Sequence, residues 1–227
     1  MPLRTPTPIR GVIFDMDGVL LDTEPLYLTA IAEVAARYGK VYDWSVKSQC
    51  IGRGTVEAAQ VIIDALNLPL APLELVHERD LILVPLLRQV GPMPRAPEFT
   101  RALAANGVPM AVATSSESAI LGDKLTLHRE WFTIFHSIVC GDNPRVVRPK
   151  PAPDIFLVAA EDLGVPPGAC VVFEDSPFGV QGALAAGMQV VAMPDPALDR
   201  ARFAGAQRVV SGFSDVSVNE FVATQRP

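Results

Sequence analysis

Short, mainly apolar runs recur along the chain and end where polar, acidic or glycine residues begin. They lie at 11–14, 108–113, 137–140, 169–173, 189–193 and 208–210. A strand inside a parallel sheet is buried on both faces, so it is apolar at nearly every position rather than at alternate ones. The pattern therefore predicts buried strands of a parallel sheet.

Helical patterns fill the gaps between the later strands. Apolar residues recur at helical spacing over 153–163 and stop at Gly164, while Ser176 and Pro177 are typical of a helix start, with Gly187 at its end. Alternating strands and helices predict a doubly wound sheet with right-handed crossovers. The predicted fold class is α/β, with a Rossmann-like parallel-sheet core.

One stretch breaks this alternation, because no strand pattern occurs between the first two predicted strands. Helical periodicity covers 25–38, 55–66 and 72–90 instead, and Pro85 is expected to kink or break the last of these helices.

This helical stretch predicts a two-part organisation. Residues 23–91 are predicted to form an all-helical cap inserted into an α/β core made of 1–22 and 92–227. The proline-rich segment 91–97 is the predicted return linker.

Composition narrows the possible partners. The 227 residues are 49% apolar and carry a net charge of −6, with no basic run, which argues against a nucleic-acid or anionic membrane surface. No signal-like or membrane-spanning apolar segment is found. The sequence predicts a cytoplasmic protein without membrane or nucleic-acid partners, as a monomer or weak dimer.

Two carboxylates follow the first predicted strand. Asp15 and Asp17 stand two residues apart, and Gly18 allows the chain to turn sharply behind them. Open α/β sheets bind ligands at the carboxyl ends of their strands, so this pair is a candidate catalytic site. The structural alternative is an acidic turn without catalytic function.

Three further elements follow later strands. Thr114 and Ser115 can donate hydroxyl and amide hydrogen bonds to a phosphate, Lys150 is held between prolines, and Glu174 and Asp175 end the fourth strand. Each has a plain structural alternative: a helix N-cap, a rigid connector and a strand end.

Together these residues suit phosphoryl transfer. Asp15 can attack phosphorus, Asp17 can exchange protons with the leaving group and water, and Lys150 can compensate charge. Asp15, Asp175, the main-chain carbonyl of Asp17 and the nearby Glu174 offer the hard oxygen ligands that Mg²⁺ prefers.

The four elements, in this order, resemble the four motifs of the haloacid dehalogenase-like hydrolases, and the helical insertion resembles their C1 cap. The resemblance implies a Mg²⁺-dependent phosphatase acting on a small phosphorylated metabolite, such as a sugar, polyol or nucleoside phosphate. The cap region, including the stretch 38–44, is similar to the pseudouridine-5′-phosphatase branch.

Two other functions stay open. A phosphosugar mutase of the β-phosphoglucomutase type would use the same core, but the histidine and arginine positions of that branch fall on Tyr27 and Thr55. No cationic partner for Asp17 is therefore expected, which favours hydrolysis. Arg53, two residues before Thr55, could replace the arginine of that branch if the loop is shifted. A non-enzymatic phosphoacceptor module is disfavoured because receiver domains carry the acceptor on the third strand and lack a cap.

Arg53 is the candidate substrate contact in the cap. It lies between two glycines in the loop 51–55, a composition that suits close approach to a ligand. An ordinary connection between helices is the alternative. His77, His128 and His136 are scattered and are interpreted as packing or surface residues.

Overall fold

The computed structural model describes residues 8–51 and 53–222. Its strands are β1 Gly11–Phe14, β2 Met110–Ala113, β3 Ser137–Val139, β4 Cys170–Glu174, β5 Gln189–Ala192 and β6 Arg208–Val209. They form one sheet in the order β3-β2-β1-β4-β5-β6, and every neighbouring pair is parallel. The predicted Rossmann-like α/β core is confirmed.

Helices separate and follow the strands. They are α1 Glu24–Arg37, α2 Trp44–Cys50, α3 Thr55–Leu66, α4 Pro72–Leu87, α5 Ala96–Ala105, α6 Ser118–Lys124, α7 Arg129–Phe132, α8 Asp154–Leu163, α9 Pro177–Ala185 and α10 Asn219–Val222. No helix within the described ranges has the length and apolar character needed to span a membrane.

The first four of the five helices between β1 and β2 share a hydrophobic cluster of their own. Buried side chains from α1, α3 and α4, among them Val34, Ile62 and Leu75, pack together apart from the clusters that cover the sheet. The flanking segments meet where Asp22 N donates to Gly91 O at 3.0 Å. This helical insertion agrees with a cap, while the boundaries 23 and 91 stay a prediction.

Local structure departs from the sequence patterns at three points. Pro85 lies inside α4 and does not break it, because the helix ends two residues later and only its last turn loses a hydrogen bond. The predicted linker overlaps α5, which begins at Ala96 with a proline in its first turn. The seven-residue α2 was not predicted; Asp43 caps it by accepting from Ser45 N at 2.9 Å.

Aromatic packing holds β1 beside β4. Phe14 and Phe173 are paired in register, and their rings stack with centroids 5.0 Å apart. Both rings are fully buried in the cluster on one face of the sheet. The next residues along the chain, Asp15 and Glu174, therefore lie side by side at the carboxyl ends of the two strands.

Candidate active site

Three carboxylates meet at the carboxyl ends of β1 and β4. Asp15 N donates to Phe173 O at 2.9 Å, which extends the ladder beyond the end of β1. One carboxylate oxygen from each of Asp15, Glu174 and Asp175 lies within 4.8 Å of the others. The two acidic strand ends identified in the sequence thus form one cluster.

Lys150 connects the ends of three strands. Its Nζ donates to Asp15 Oδ1 at 2.5 Å, to Glu174 Oε1 at 2.7 Å and to Ala113 O, at the end of β2, at 3.2 Å. The side chain is almost fully buried. One ammonium therefore neutralises part of the charge of the acidic cluster.

Burial and mutual repulsion raise the pKa of two carboxylates of the cluster. Burial raises the pKa of Asp15 to about 7, with Lys150 acting in the opposite direction. Burial, followed by the charge of Glu174, raises the pKa of Asp175 well above its usual value. Three carboxylates around one ammonium are a donor set that fits an added hard cation such as Mg²⁺.

Glu174 is held by donors at both oxygens. Oε1 accepts from Lys150, while Oε2 accepts from Ser176 N at 2.7 Å and from Ser176 Oγ at 3.0 Å. A Cβ at Gly179, on α9, would collide with this carboxylate. Gly18, at φ +76°, gives Asp175 the same close approach to the turn after β1.

Asp17 lies in the turn after β1 and has partners of its own. Oδ1 accepts from Thr23 Oγ1 at 2.8 Å and from Lys124 Nζ at 2.5 Å. Oδ2 accepts from Ser116 Oγ at 3.0 Å and faces Thr114 Oγ1 at 3.4 Å. Burial would raise the pKa of Asp17, but the charge of Lys124 and these hydrogen bonds outweigh it and lower the pKa.

Lys124 is the residue that sequence reasoning missed. Asp17 was expected to lack a cationic partner, because Tyr27 and Thr55 occupy the histidine and arginine positions of the mutase branch. That expectation is wrong, since Lys124 forms an ion pair with Asp17. Lys124 Nζ also lies 5.6 Å from the ring centroid of Tyr27. No motif marks this lysine, which ends a short helix after β2.

Thr114 and Ser115 follow β2 at the same edge of the sheet. Thr114 is fully buried, and its Oγ1 accepts from Ser116 N at 3.1 Å. Ser115 lines the cavity above the acidic cluster. The structure thus brings both residues to the site, and their contact with a phosphate stays a prediction.

A cavity of about 480 Å³ separates the strand ends from the helical insertion. Asp15, Asp17 and Lys150 line it from the core. Tyr27 and Arg79 line it from the insertion, together with apolar side chains of α1, α3 and α4. The acidic cluster therefore opens into a chamber with both charged and apolar walls.

Arg53 also lines this cavity, as its position in the sequence suggested. Its Nε donates to Gln49 O at 2.7 Å, and its guanidinium pairs with Glu57. Gly52, part of the predicted substrate loop, lies outside the described residues. A contact between Arg53 and a substrate stays a prediction.

Two of the histidines make hydrogen bonds away from the cavity. His128 Nε2 lies 2.8 Å from Val90 O, and His136 Nδ1 accepts from Met110 N at 3.2 Å. These contacts fit the interpretation of both rings as packing residues.

The chain is similar to known proteins over most of its length. The model of the haloacid dehalogenase-like hydrolases matches residues 9–187. A Drosophila melanogaster protein named as a probable pseudouridine-5′-phosphatase is 42% identical, over 94% of both chains. The fructose-1-phosphate phosphatase of Escherichia coli (strain K12) is also 42% identical, over 80% of this chain and 94% of its own.

A solved structure shows the same fold. CbbY from Rhodobacter sphaeroides, solved in complex with phosphate, superposes with a TM-score of 0.76 at 26% identity, over 91% of this chain and 96% of that one.

Proposed function

The chain belongs to the haloacid dehalogenase-like hydrolases, and from this premise we propose that it is a Mg²⁺-dependent phosphatase that hydrolyses a small phosphate monoester through a phosphorylated Asp15. One observation carries the proposal: Lys150 holds Asp15 against Glu174 at the base of a cavity into which Asp17 also faces. A nucleophile, a fixed positive charge and a second carboxylate are the groups that two-step phosphoryl transfer needs.

Asp15 and Asp17 divide the reaction between them. Asp17 enters this step carrying the proton that it took from water in the previous turnover. A carboxylate oxygen of Asp15 attacks phosphorus, the bond from phosphorus to the ester oxygen breaks, and Asp17 delivers that proton to the leaving alkoxide. Asp17, now ionised, takes a proton from the water that attacks the aspartyl-phosphate. Inorganic phosphate leaves, and Asp15 is restored as a carboxylate.

Other residues of this edge stabilise the phosphoryl group. Lys150 supplies a fixed positive charge, and the hydroxyl of Thr114 and the amide of Ser115 are assigned to phosphoryl oxygens. When bound, Mg²⁺ would supply further positive charge against these oxygens. Asp15, Asp175 and the Asp17 carbonyl would hold it, and Glu174, with both oxygens engaged, would fix Lys150 beside them.

The substrate class is a sugar, polyol or nucleoside phosphate. A cavity of about 480 Å³ is in the size range of small-molecule sites and has polar groups among apolar walls. Two relatives at the same 42% identity are named for different substrates, pseudouridine-5′-phosphate and fructose 1-phosphate. Overall identity therefore does not select one ester, and the side chains of the insertion must.

A panel of phosphate esters tests the proposal. Sugar, polyol and nucleoside phosphates are assayed for phosphate release with Mg²⁺, with EDTA and with the Asp15→Asn variant. We expect Mg²⁺-dependent turnover of at least one ester and a loss of roughly 10³-fold or more in Asp15→Asn, which lacks the nucleophile. Normal turnover by Asp15→Asn in EDTA would contradict the mechanism.

A phosphosugar mutase is the second candidate, because Asp17 has the cationic partner that the sequence had not indicated. Thr55, which lines the cavity, cannot make the bidentate phosphate contact of an arginine. We therefore expect no conversion of β-glucose 1-phosphate to glucose 6-phosphate, even with the bisphosphate activator. Steady NADPH formation in a coupled dehydrogenase assay, without comparable phosphate release, would establish the mutase instead.

A further inference from the structure

Lys124 carries a fully buried ammonium at the end of α6. Burying an ammonium is costly unless hydrogen bonds and an opposite charge replace its water shell. Because apolar residues can often replace a buried ion pair without loss, such a pair is weak evidence for a stabilising role. The position of Lys124 beside the site therefore needs a functional explanation.

Lys124 acts on both oxygens of Asp17. Its Nζ lies 2.5 Å from Asp17 Oδ1 and 2.6 Å from Ser116 Oγ. A hydroxyl has a single proton, and since Ser116 Oγ accepts from Lys124, that proton is directed to Asp17 Oδ2, 3.0 Å away. The resulting triangle fixes one oxygen directly and the other through Ser116.

The site thus contains two buried lysines with separate partners. Lys150 donates to Asp15 and Glu174, whereas Lys124 donates to Asp17 and Ser116. Burial would lower the pKa of Lys124, but the neighbouring charge of Asp17 outweighs it and raises the pKa, so the side chain stays an ammonium.

Lys124 reaches the chemistry only through its partners. Asp17 and Ser116 line the cavity, while Lys124 lies behind them with no exposed surface. Asp17 comes from the turn after β1, Ser116 from the segment after β2 and Lys124 from α6. The triangle therefore ties three separate segments to one carboxylate.

We propose that Lys124 is a positioning residue of the active site, which together with Ser116 holds the Asp17 carboxylate in the orientation from which it exchanges protons. The proposal rests on the phosphatase function proposed above. Lys124 is fully buried and does not line the cavity, so its effect on the rate passes through Asp17. Its removal must therefore affect only those steps in which Asp17 moves a proton.

With p-nitrophenyl phosphate as substrate, phosphorylation of Asp15 and hydrolysis of the aspartyl-phosphate can be measured separately. p-Nitrophenolate is a good leaving group that needs no proton, so phosphorylation of Asp15 proceeds without Asp17. Hydrolysis of the aspartyl-phosphate still needs Asp17 as a base. Loss of Asp17 positioning must therefore leave the first step intact and slow the second.

Rapid mixing of a Lys124→Met variant with p-nitrophenyl phosphate measures both steps. We expect first-turnover p-nitrophenolate release to stay within about threefold of wild type, followed by a steady state slowed roughly 10- to 100-fold. With a sugar or polyol phosphate, both steps need Asp17, so we expect the slow rate without a burst. Lys40→Met, at a half-buried position of the insertion that does not line the cavity, controls for the change in net charge and should behave as wild type.

Two results would overturn the proposal: equal slowing of the burst and the steady state, which indicates general damage, or an unchanged steady state. In an Asp17→Asn background, Lys124→Met should add little, because both changes remove the same function. A full additional loss there would also overturn it. If Lys124→Met does not fold, Ser116→Ala is tested by the same criteria. We expect an intact burst and a slowed steady state there too, with a smaller loss in the steady-state rate.

The outcome is separable from that of the proposed function. Retained activity in Asp15→Asn contradicts the phosphatase mechanism whatever Lys124 does. Loss of activity in Asp15→Asn, with uniform effects in Lys124→Met and Ser116→Ala, contradicts only the role of Lys124.

Discussion

The two sides of the cavity use charge in different ways. On the core side, the side chains of Asp15, Lys124 and Glu174 are at most 8% exposed, and each pairs with a partner that is at most 22% exposed. On the insertion side, the cations that line the cavity pair with carboxylates that are at least 35% exposed: Lys47 with Glu24, Arg79 with Asp80, and Arg53 with Glu57. The Arg53 side chain is itself 34% exposed. Breaking a buried pair is strongly unfavourable, whereas an exposed pair contributes at most about 1 kcal/mol.

This difference separates chemistry from selection. Buried pairs keep the reacting carboxylates in one geometry, as catalysis requires. Exposed pairs can break at little cost when a ligand offers a better partner, so the insertion side can adapt to substrate. Changes in the core should therefore alter kcat on every ester, and changes in the insertion should alter KM for selected ones.

The largest effect in this comparison is expected for Asp17→Asn. The variant keeps the size and the main-chain carbonyl of Asp17 but cannot exchange protons, so we expect kcat on an alkyl ester to fall by about 10²- to 10⁴-fold. First-turnover release from p-nitrophenyl phosphate should be spared, and Mg²⁺ affinity, measured by calorimetry, should change little. Equal losses on the two esters would remove the acid–base assignment.

A smaller effect is expected for Arg53→Ala. Loss of one exposed contact should raise KM for the preferred ester by roughly 3- to 10-fold, with kcat and the constants for p-nitrophenyl phosphate nearly unchanged. The matched control is Arg37→Ala, which removes an exposed pair with Glu78 that does not line the cavity. If KM rises equally for both esters, Arg53 has no role in specificity.

The smallest expected effect is the pH dependence of the thermal stabilisation that Mg²⁺ binding provides. The raised pKa of Asp15, about 7, means that the metal-free folded state holds its proton more tightly than the unfolded chain. The stability that this group contributes is present below the unfolded-state pKa, near 3.8, and is lost as pH rises through about 7. Mg²⁺ binding competes with that proton and must tighten over the same range.

We therefore expect Mg²⁺ to raise the Tm more at about pH 8 than at about pH 5.5. Differential scanning fluorimetry measures both shifts. Asp175→Asn, which removes one carboxylate of the cluster, should reduce the shift at the higher pH. Equal shifts at both pH values in the unchanged protein would argue against metal binding at these carboxylates.

Much of the core could be predicted because its signals are local. The run 170–173 in β4 is apolar at every position, and Glu174 follows it directly. Asp15 follows the apolar strand β1 in the same way. The parallel arrangement then brings those strand ends to one edge. The proline-flanked Lys150 was found for the same reason, since its neighbours in the sequence mark it.

The remaining features depend on contacts between distant segments. Lys124 and Asp17 are separated by 107 positions, and a lysine at the end of a short helix resembles an ordinary surface residue until the sheet order is known. The helix α2 has only seven residues, too few to show a clear period, although Asp43 before it was a usable N-cap signal. Pro85 does not break its helix, because the effect of a proline depends on its distance from the helix end.

Detection of a covalent phosphoenzyme tests the central claim most directly. The protein is mixed with an isotopically labelled phosphate ester, quenched in acid within the first turnover and digested for mass spectrometry. We expect the label on the peptide that contains Asp15, and none in Asp15→Asn. A labelled peptide elsewhere in the chain, or rapid turnover without any labelled peptide, would contradict nucleophilic attack by Asp15.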